Sequence, residues 1–241
     1  GWAMVKPCEV LAIGAHPDDV ELGCGATLAR LAATGRAVGI LDLTAGELGT
    51  RGTVEQRSGE AAAAAGALGV AWRACLGLPD GGLDAGDGEQ AGVLVRALRT
   101  ARPRAVLLPH RDDPHPDHPA AAALVRRAAF LAGVARCLPS AGAPHRPALL
   151  LEYPGPRQLF APVLVVDVSA HYEAKRRALA AHGSQFDPGG GPATHLASGH
   201  YLAAVEGRDR AFGNGVGCEL GEGFTAPGPL AAGEIAWLLG G

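Results

Sequence analysis

Short apolar runs alternate with longer amphipathic stretches over the first two-thirds of the chain. Residues 8–15, 37–43, 72–76 and 105–109 are brief, rich in Val, Ile and Leu, and bounded by Gly, Pro or charge. That is the pattern of strands buried on both faces. Between them, apolar residues recur three and four apart. The spacing predicts helices over 22–34, stopped by Gly35, over 53–68, stopped by Gly69, and over 89–101, closed by Pro103. Alternation of this kind predicts an α/β fold, a Rossmann-like, doubly wound and mostly parallel sheet with helices on both faces.

The final third is less regular. Residues 148–153 and 163–168 read as strands, and Ser169 is placed to cap a helix running to about His182. A Gly/Pro-rich loop over 187–192, a helical stretch near 196–210 and a glycine-punctuated end follow, an irregular C-terminal part expected to complete the site. No repeat or linker divides the chain, so residues 4–241 read as one domain. Met4 is the sole methionine, which sets the expected natural start there, with residues 1–3 as additions.

Composition narrows the function classes. A hydrophobic content of 48% with 19% charged residues belongs to an ordered globular chain. A net charge of −3 and scattered basic residues supply no footprint for nucleic acid. No apolar stretch approaches the roughly 20 residues of a membrane span, and the N-terminus lacks a signal-peptide pattern. The five cysteines are odd in number, dispersed and free of CxxC, which points to a reducing, cytoplasmic setting.

In an open parallel sheet, ligands bind beyond the carboxyl ends of the strands. The unusual polar residues fall there: His16-Pro17-Asp18-Asp19 after the first strand, the loop from Thr44 to Arg51 after the second, Leu78-Pro79-Asp80-Gly81 after the third, and His110 to His118 after the fourth. Imidazoles and carboxylates without a cysteine pair suit a catalytic zinc site, which keeps a position for water. Pro17 and Pro116 restrain the backbone beside these residues. A nucleotide-binding reading of Gly23 and Gly25 is weaker, because Leu28 replaces the last glycine of GxGxxG and Asp18, Asp19 and Glu21 would repel a pyrophosphate. No GxSxG marks a serine hydrolase.

"AHPDD" after the first strand, paired with "HPDH" after the fourth, resembles the PIG-L/LmbE-like zinc-dependent N-acetylglucosamine deacetylases. "GELGTRGT", "LGLPDGGL", "AHGSQF" and "GEGF" extend the resemblance over most of the chain, and "GELGTRGT", "HGSQF" and "GEGF" are most similar to the bacillithiol-biosynthesis branch, which deacetylates N-acetyl-α-D-glucosaminyl L-malate. The residues alone do not distinguish the jobs of Asp18 and Asp19. The resemblance implies His16, Asp19 and His118 as zinc ligands, Asp18 as general base, and His115, held charged by Asp117, as the imidazolium facing the oxyanion. It further implies Arg57 and Asp80 as substrate contacts, with Gln185 a marker residue and Arg51 a candidate for a substrate carboxylate. The implied partner is a small acylated amino sugar, and the implied assembly a homo-oligomer, commonly a hexamer. The same chemistry on another N-acetylglucosaminyl compound, on diacetylchitobiose or on a thiol conjugate is the alternative. A non-hydrolytic Rossmann module is a further one.

Overall fold

The computed structural model describes residues 4–240, so the expected additions at 1–3 lie outside the described residues. β1 (Val10–Gly14), β2 (Val38–Asp42), β3 (Trp72–Cys75), β4 (Ala105–Pro109) and β5 (Leu149–Tyr153) pair in parallel in the order β3-β2-β1-β4-β5. Successive side chains on a strand point to opposite faces. Ile13, Leu41, Val106 and Leu108 accordingly pack on one side, with Leu94 and Leu98 of α3 (Gly88–Ala101) and Val125 of α4 (Asp117–Ala132). Val10, Ala12, Ile40 and Leu107 pack on the other, with Leu28 and Leu31 of α1 (Asp19–Ala33) and Leu68 of α2 (Val54–Leu68). The doubly wound expectation holds, with a core on each face.

Local chemistry starts two of these helices. Thr53 Oγ1 accepts the Gln56 N–H ahead of α2, and the Asp87 carboxylate accepts from Glu89 and Gln90 ahead of α3. The expected cap at Ser169 is not formed. Its hydroxyl donates to Asp167, and α5 (Tyr172–Ala181) begins three residues further on. A short turn, α6 (Gly183–Phe186), follows, and α7 (Tyr201–Val216) starts and ends later than its apolar spacing suggested. α4 itself was hidden in an alanine-rich stretch with weak periodicity.

β6 (Leu164–Asp167) and β7 (Gly221–Phe224) form a separate antiparallel ribbon, tied to β5 through the Glu152–Thr225 bridge. The ribbon carries Glu222 to α1. That helix is two segments joined at Cys24, whose φ is −148°. The Glu222 carboxylate accepts the Ala26 and Thr27 N–H groups at 3.1 and 2.6 Å and so caps the second segment. The last helix, α8 (Ala232–Leu239), sets Trp237 between the Arg36 and Arg104 guanidiniums. No described helix is long and apolar enough to cross a membrane.

Candidate active site

Strand order reverses between β1 and β4, and the crevice beyond their carboxyl ends is where such sheets bind ligands. β1 delivers His16, Asp18 and Asp19 there, and β4 delivers the loop that runs to His118 at the start of α4. Asp19 links the two loops. Its Oδ1 lies 3.2 Å from His118 Nε2, its Oδ2 lies 3.4 Å from His16 Nδ1, and Oδ2 also accepts the His16 backbone N–H at 2.8 Å. His115 completes a histidine triangle, with ring nitrogens of His16, His115 and His118 within 4.8 Å of one another.

Both imidazoles that face Asp19 are backed on their other nitrogen. His16 Nε2 lies 3.1 Å from Asp80 Oδ1 and 3.1 Å from Asp117 Oδ2, while His118 Nδ1 lies 3.2 Å from Asp113 Oδ1. A carboxylate behind each histidine is the arrangement that fixes ring orientation and tautomer at metal centres. The donor set therefore fits a divalent metal. Burial by itself would lower the His16 and His118 imidazoles. The carboxylates outweigh it, Asp19 and Asp80 raising His16 to about 11 and Asp19 and Asp113 raising His118 to about 10. A divalent metal held here would take the place of those protons.

The expected pairing of the Asp117 carboxylate with His115 is not what the structure contains. Asp117 Oδ2 faces His16 and accepts the Gly81 N–H at 2.8 Å. His115 Nδ1 instead accepts the Asp117 backbone N–H at 3.2 Å, which puts the proton of the neutral ring on Nε2. Burial and the neighbouring His118 and His16 charges lower the His115 pKa, so it is not held as an imidazolium. The tight HPDH turn explains both facts: it points the Asp117 side chain back across the rim and leaves only its amide within reach of His115.

Asp18 is the strained residue of the site. It is buried and has φ 124° and ψ −24°, a conformation that costs a non-glycine residue about 1–3 kcal/mol. Burial, reinforced by the adjacent Asp19 charge, pushes its carboxyl up to about 6. Arg57 acts the other way, with Nη2 4.0 Å from Asp18 Oδ2. That guanidinium is buried and also donates to the Gly46 and Pro17 carbonyls at 2.6 and 3.2 Å, so it ties the second loop to the first. Glu60, three residues on and within helical reach of Arg57, bonds Ser184 instead.

A cleft of about 1060 Å³ opens over these residues, at the upper end of the range for small-molecule sites. Arg57, Asp80 and Gln185 line it. Asp80 binds His16 and the Leu48 N–H, and Gln185 donates its amide to the Arg51 carbonyl and Ser184 Oγ. Arg51 does not line the cleft. It is buried, donates to the Asp187 carbonyl beneath the glycine-rich 187–192 loop, and leaves Nε and Nη1 without a protein partner. The expected contact with a substrate carboxylate is therefore absent from this arrangement.

Several supporting residues escaped sequence reasoning. Asp113, unassigned in the sequence, is buried and braces His118 while accepting the His115 backbone N–H at 2.8 Å. Gly155 makes room for it, because a Cβ there would stand 1.7 Å from Asp113 Oδ2. Gly23 similarly admits Tyr153, whose hydroxyl donates to the Ile13 carbonyl at 2.7 Å, whereas a Cβ at Gly25 would meet only ordinary contacts. Behind α1, fully buried Lys175 donates to Asp209 and Glu222, both at 2.7 Å. A second buried set joins Arg73 to Asp42 and Glu21, and Glu21 to His182. The "AHGSQF" and "GEGF" strings contain His182 and Glu222 of these networks, and Glu21 follows the first motif.

Residues 11–129, from β1 into α4, match the PIG-L family, described as GlcNAc-PI de-N-acetylase. A 1D-myo-inositol 2-acetamido-2-deoxy-alpha-D-glucopyranoside deacetylase of Saccharopolyspora erythraea is 30% identical, with 95% of this chain and 99% of that protein covered. An uncharacterized deacetylase of Escherichia coli is 55% identical over a shorter stretch that covers 20% of this chain and 25% of that protein. The crystal structure of the conserved protein TT1542 from Thermus thermophilus superposes with a TM-score of 0.84 and 41% identity, over 93% of this chain and 96% of that one. With its paired His/Asp loops at the switch point of a parallel sheet, the chain belongs to the PIG-L family of deacetylases.

Proposed function

We propose that the protein is a zinc-dependent N-deacetylase that removes acetate from an N-acetylglucosaminide, with N-acetyl-α-D-glucosaminyl L-malate as its substrate. The observation that carries this reading is the convergence of His16, Asp19 and His118 beside a buried, strained Asp18 on the floor of one cleft. His16, Asp19 and His118 would hold the ion, as the resemblance implied. When bound, zinc supplies Lewis acidity and brings the pKa of water from about 15.7 toward roughly 7.

Asp18, with a carboxyl raised to about 6, is suited to take a proton from water and return it to the leaving nitrogen. The C–O bond to the acetyl carbon forms, the amide C–N bond breaks, and acetate and a free amine result. Neutral His115, with its proton on Nε2, donates to the oxygen that gains charge, a contribution of about 3 kcal/mol by analogy with oxyanion donors. Arg57 steadies the Asp18 carboxylate and the two loops around it, and Asp80 and Gln185 offer their remaining acceptor capacity to sugar hydroxyls.

The test is acetate release from the malate conjugate beside free N-acetylglucosamine, with metal content measured on the same sample. Turnover of the conjugate with one zinc per chain supports the reading. A protein that holds no divalent metal and regains none overturns it, and activity confined to the simple sugar removes the malate assignment. The myo-inositol conjugate is the second substrate to assay, because the Saccharopolyspora relative is named for it. A cytoplasmic homohexamer belongs to the same reading and is checked by light scattering. The buried free thiols of Cys8 and Cys24 are in keeping with a reducing compartment.

A further inference from the structure

We infer that the outer part of the cleft is a subsite for an anionic aglycone, in which Arg157 pairs with a carboxylate carried by the group attached to the sugar. The inference rests on the deacetylase reading above and goes beyond it by naming a recognition residue on an element that no motif marks.

The charged groups lining the inner cleft are already engaged. Asp19 and Asp113 bond His118, Asp80 and Asp117 bond His16, and Arg57 faces Asp18 and two loop carbonyls. Arg157 also lines the cleft but is exposed, and no ion pair among the described residues involves it.

Its backbone is nevertheless held on both sides. The next residue, Gln158, accepts the Gly155 N–H at 3.1 Å, donates to the Asp112 carbonyl at 3.1 Å, and reaches His110 Nδ1 at 2.8 Å. Arg208 donates to the Gly155 carbonyl at 2.8 Å, and the Phe160 ring stacks on His110 with centroids 4.7 Å apart. A free guanidinium on a fixed backbone is a preorganised carboxylate receptor, and its planar fork can bind both oxygens.

The cleft lining also includes exposed apolar side chains. Leu159 and Leu48 line the same cleft and are 66% and 71% exposed. In an N-acetylglucosaminide the aglycone leaves C1, the carbon next to the one bearing the amide. An amide held at Asp18 therefore keeps the aglycone within the same cleft, whose lining includes Arg157. A short carbon chain with a carboxylate matches two leucines and one arginine, whereas a neutral polyol would leave its hydroxyls against leucine.

The test compares the N-acetylglucosaminides of L-malate and of myo-inositol on the wild type, Arg157→Gln and Arg157→Lys, with direct binding of the deacetylated conjugates measured by calorimetry. Arg157→Gln is expected to raise the malate-to-inositol ratio of KM values about five- to tenfold, as loss of one partly exposed charge-assisted contact should. Arg157→Lys should recover part of that ratio, and added salt should weaken the malate preference of the wild type. A ratio unmoved by Arg157→Gln overturns the subsite. Malate-selective binding that needs Arg157, without acetate release, keeps the subsite and removes the deacetylase reading. Acetate release without that selectivity does the reverse, and absence of both release and binding removes both.

Discussion

Asp113 Oδ1 stands 3.2 Å from His118 Nδ1, on the side of the ring away from Asp19, and the same oxygen accepts the His115 N–H. One carboxylate thus aims His118 and anchors the turn that carries His115. Asp113→Asn should lower zinc affinity by about 10- to 100-fold, the usual cost of losing such a partner. Chelator competition reads this without any assay of turnover. An unchanged affinity would show that α4 alone orients the ring.

Asp18 combines a left-handed backbone with a buried carboxylate. Its pKa is raised on folding, so the folded state holds the proton more tightly than the unfolded chain. Ionisation between about pH 4 and 6 therefore lowers stability as pH rises through that window. Asp18→Gly relieves both costs. We expect the metal-stripped variant to gain roughly 1–3 kcal/mol at neutral pH while losing acetate release. Thermal unfolding would register this as an increase of about 2–4 °C per kcal/mol in a domain of this size. A loss of stability would mean that the Asp18 carboxylate braces the loop.

The same carboxyl sets the acid side of the pH–rate profile. A base works only when deprotonated, so kcat/KM should fall as pH drops below about 6. An acid limb that persists unchanged in Asp18→Asn would assign the proton transfer to another group.

Metal uptake should release protons. His16 at about 11 and His118 at about 10 are both protonated in the metal-free protein at neutral pH. Binding displaces about two protons, and apparent affinity should climb roughly 100-fold per pH unit near neutrality. Calorimetry in buffers of different ionisation enthalpy counts them. A count near zero would show that the imidazoles are already neutral.

Lys175 is fully buried between Asp209 and Glu222, and Glu222 in turn caps the second segment of α1. Lys175→Met removes the only cation paired, among the described residues, with the buried Glu222 carboxylate, while Asp209 keeps Arg208 at 2.7 Å. Such a change costs about 3–5 kcal/mol, readable as a lower denaturant midpoint. A neutral result would mean that Arg208 and the Ala26 and Thr27 amides suffice to hold the two carboxylates.

The strands, most of the helices and the sheet edge carrying the chemistry were legible because burial on both faces leaves an apolar run for each strand and because Gly and Pro punctuate the helices. The loops at 16–19 and 110–118 stood out for a related reason, whereas the choice of His16, Asp19 and His118 within them came from the family resemblance. Side chains with metal-ligating chemistry cannot scatter along the chain when they must sit at the carboxyl ends of neighbouring strands. Which side chain backs which ring was not written there. Asp117 neighbours His118 in sequence but serves His16, a residue 101 positions away, while Asp113 serves His118. Arg51 and Arg57 sit in the same loop-to-helix stretch, yet one guanidinium turns into the cleft and the other under the 187–192 loop. Composition and spacing constrain the backbone path, because hydrophobic burial and turn geometry are local and repetitive. The orientation of a ring or a guanidinium depends on partners brought together from distant segments, so it was decided only when the sheet, α1 and the β6–β7 ribbon closed around the site.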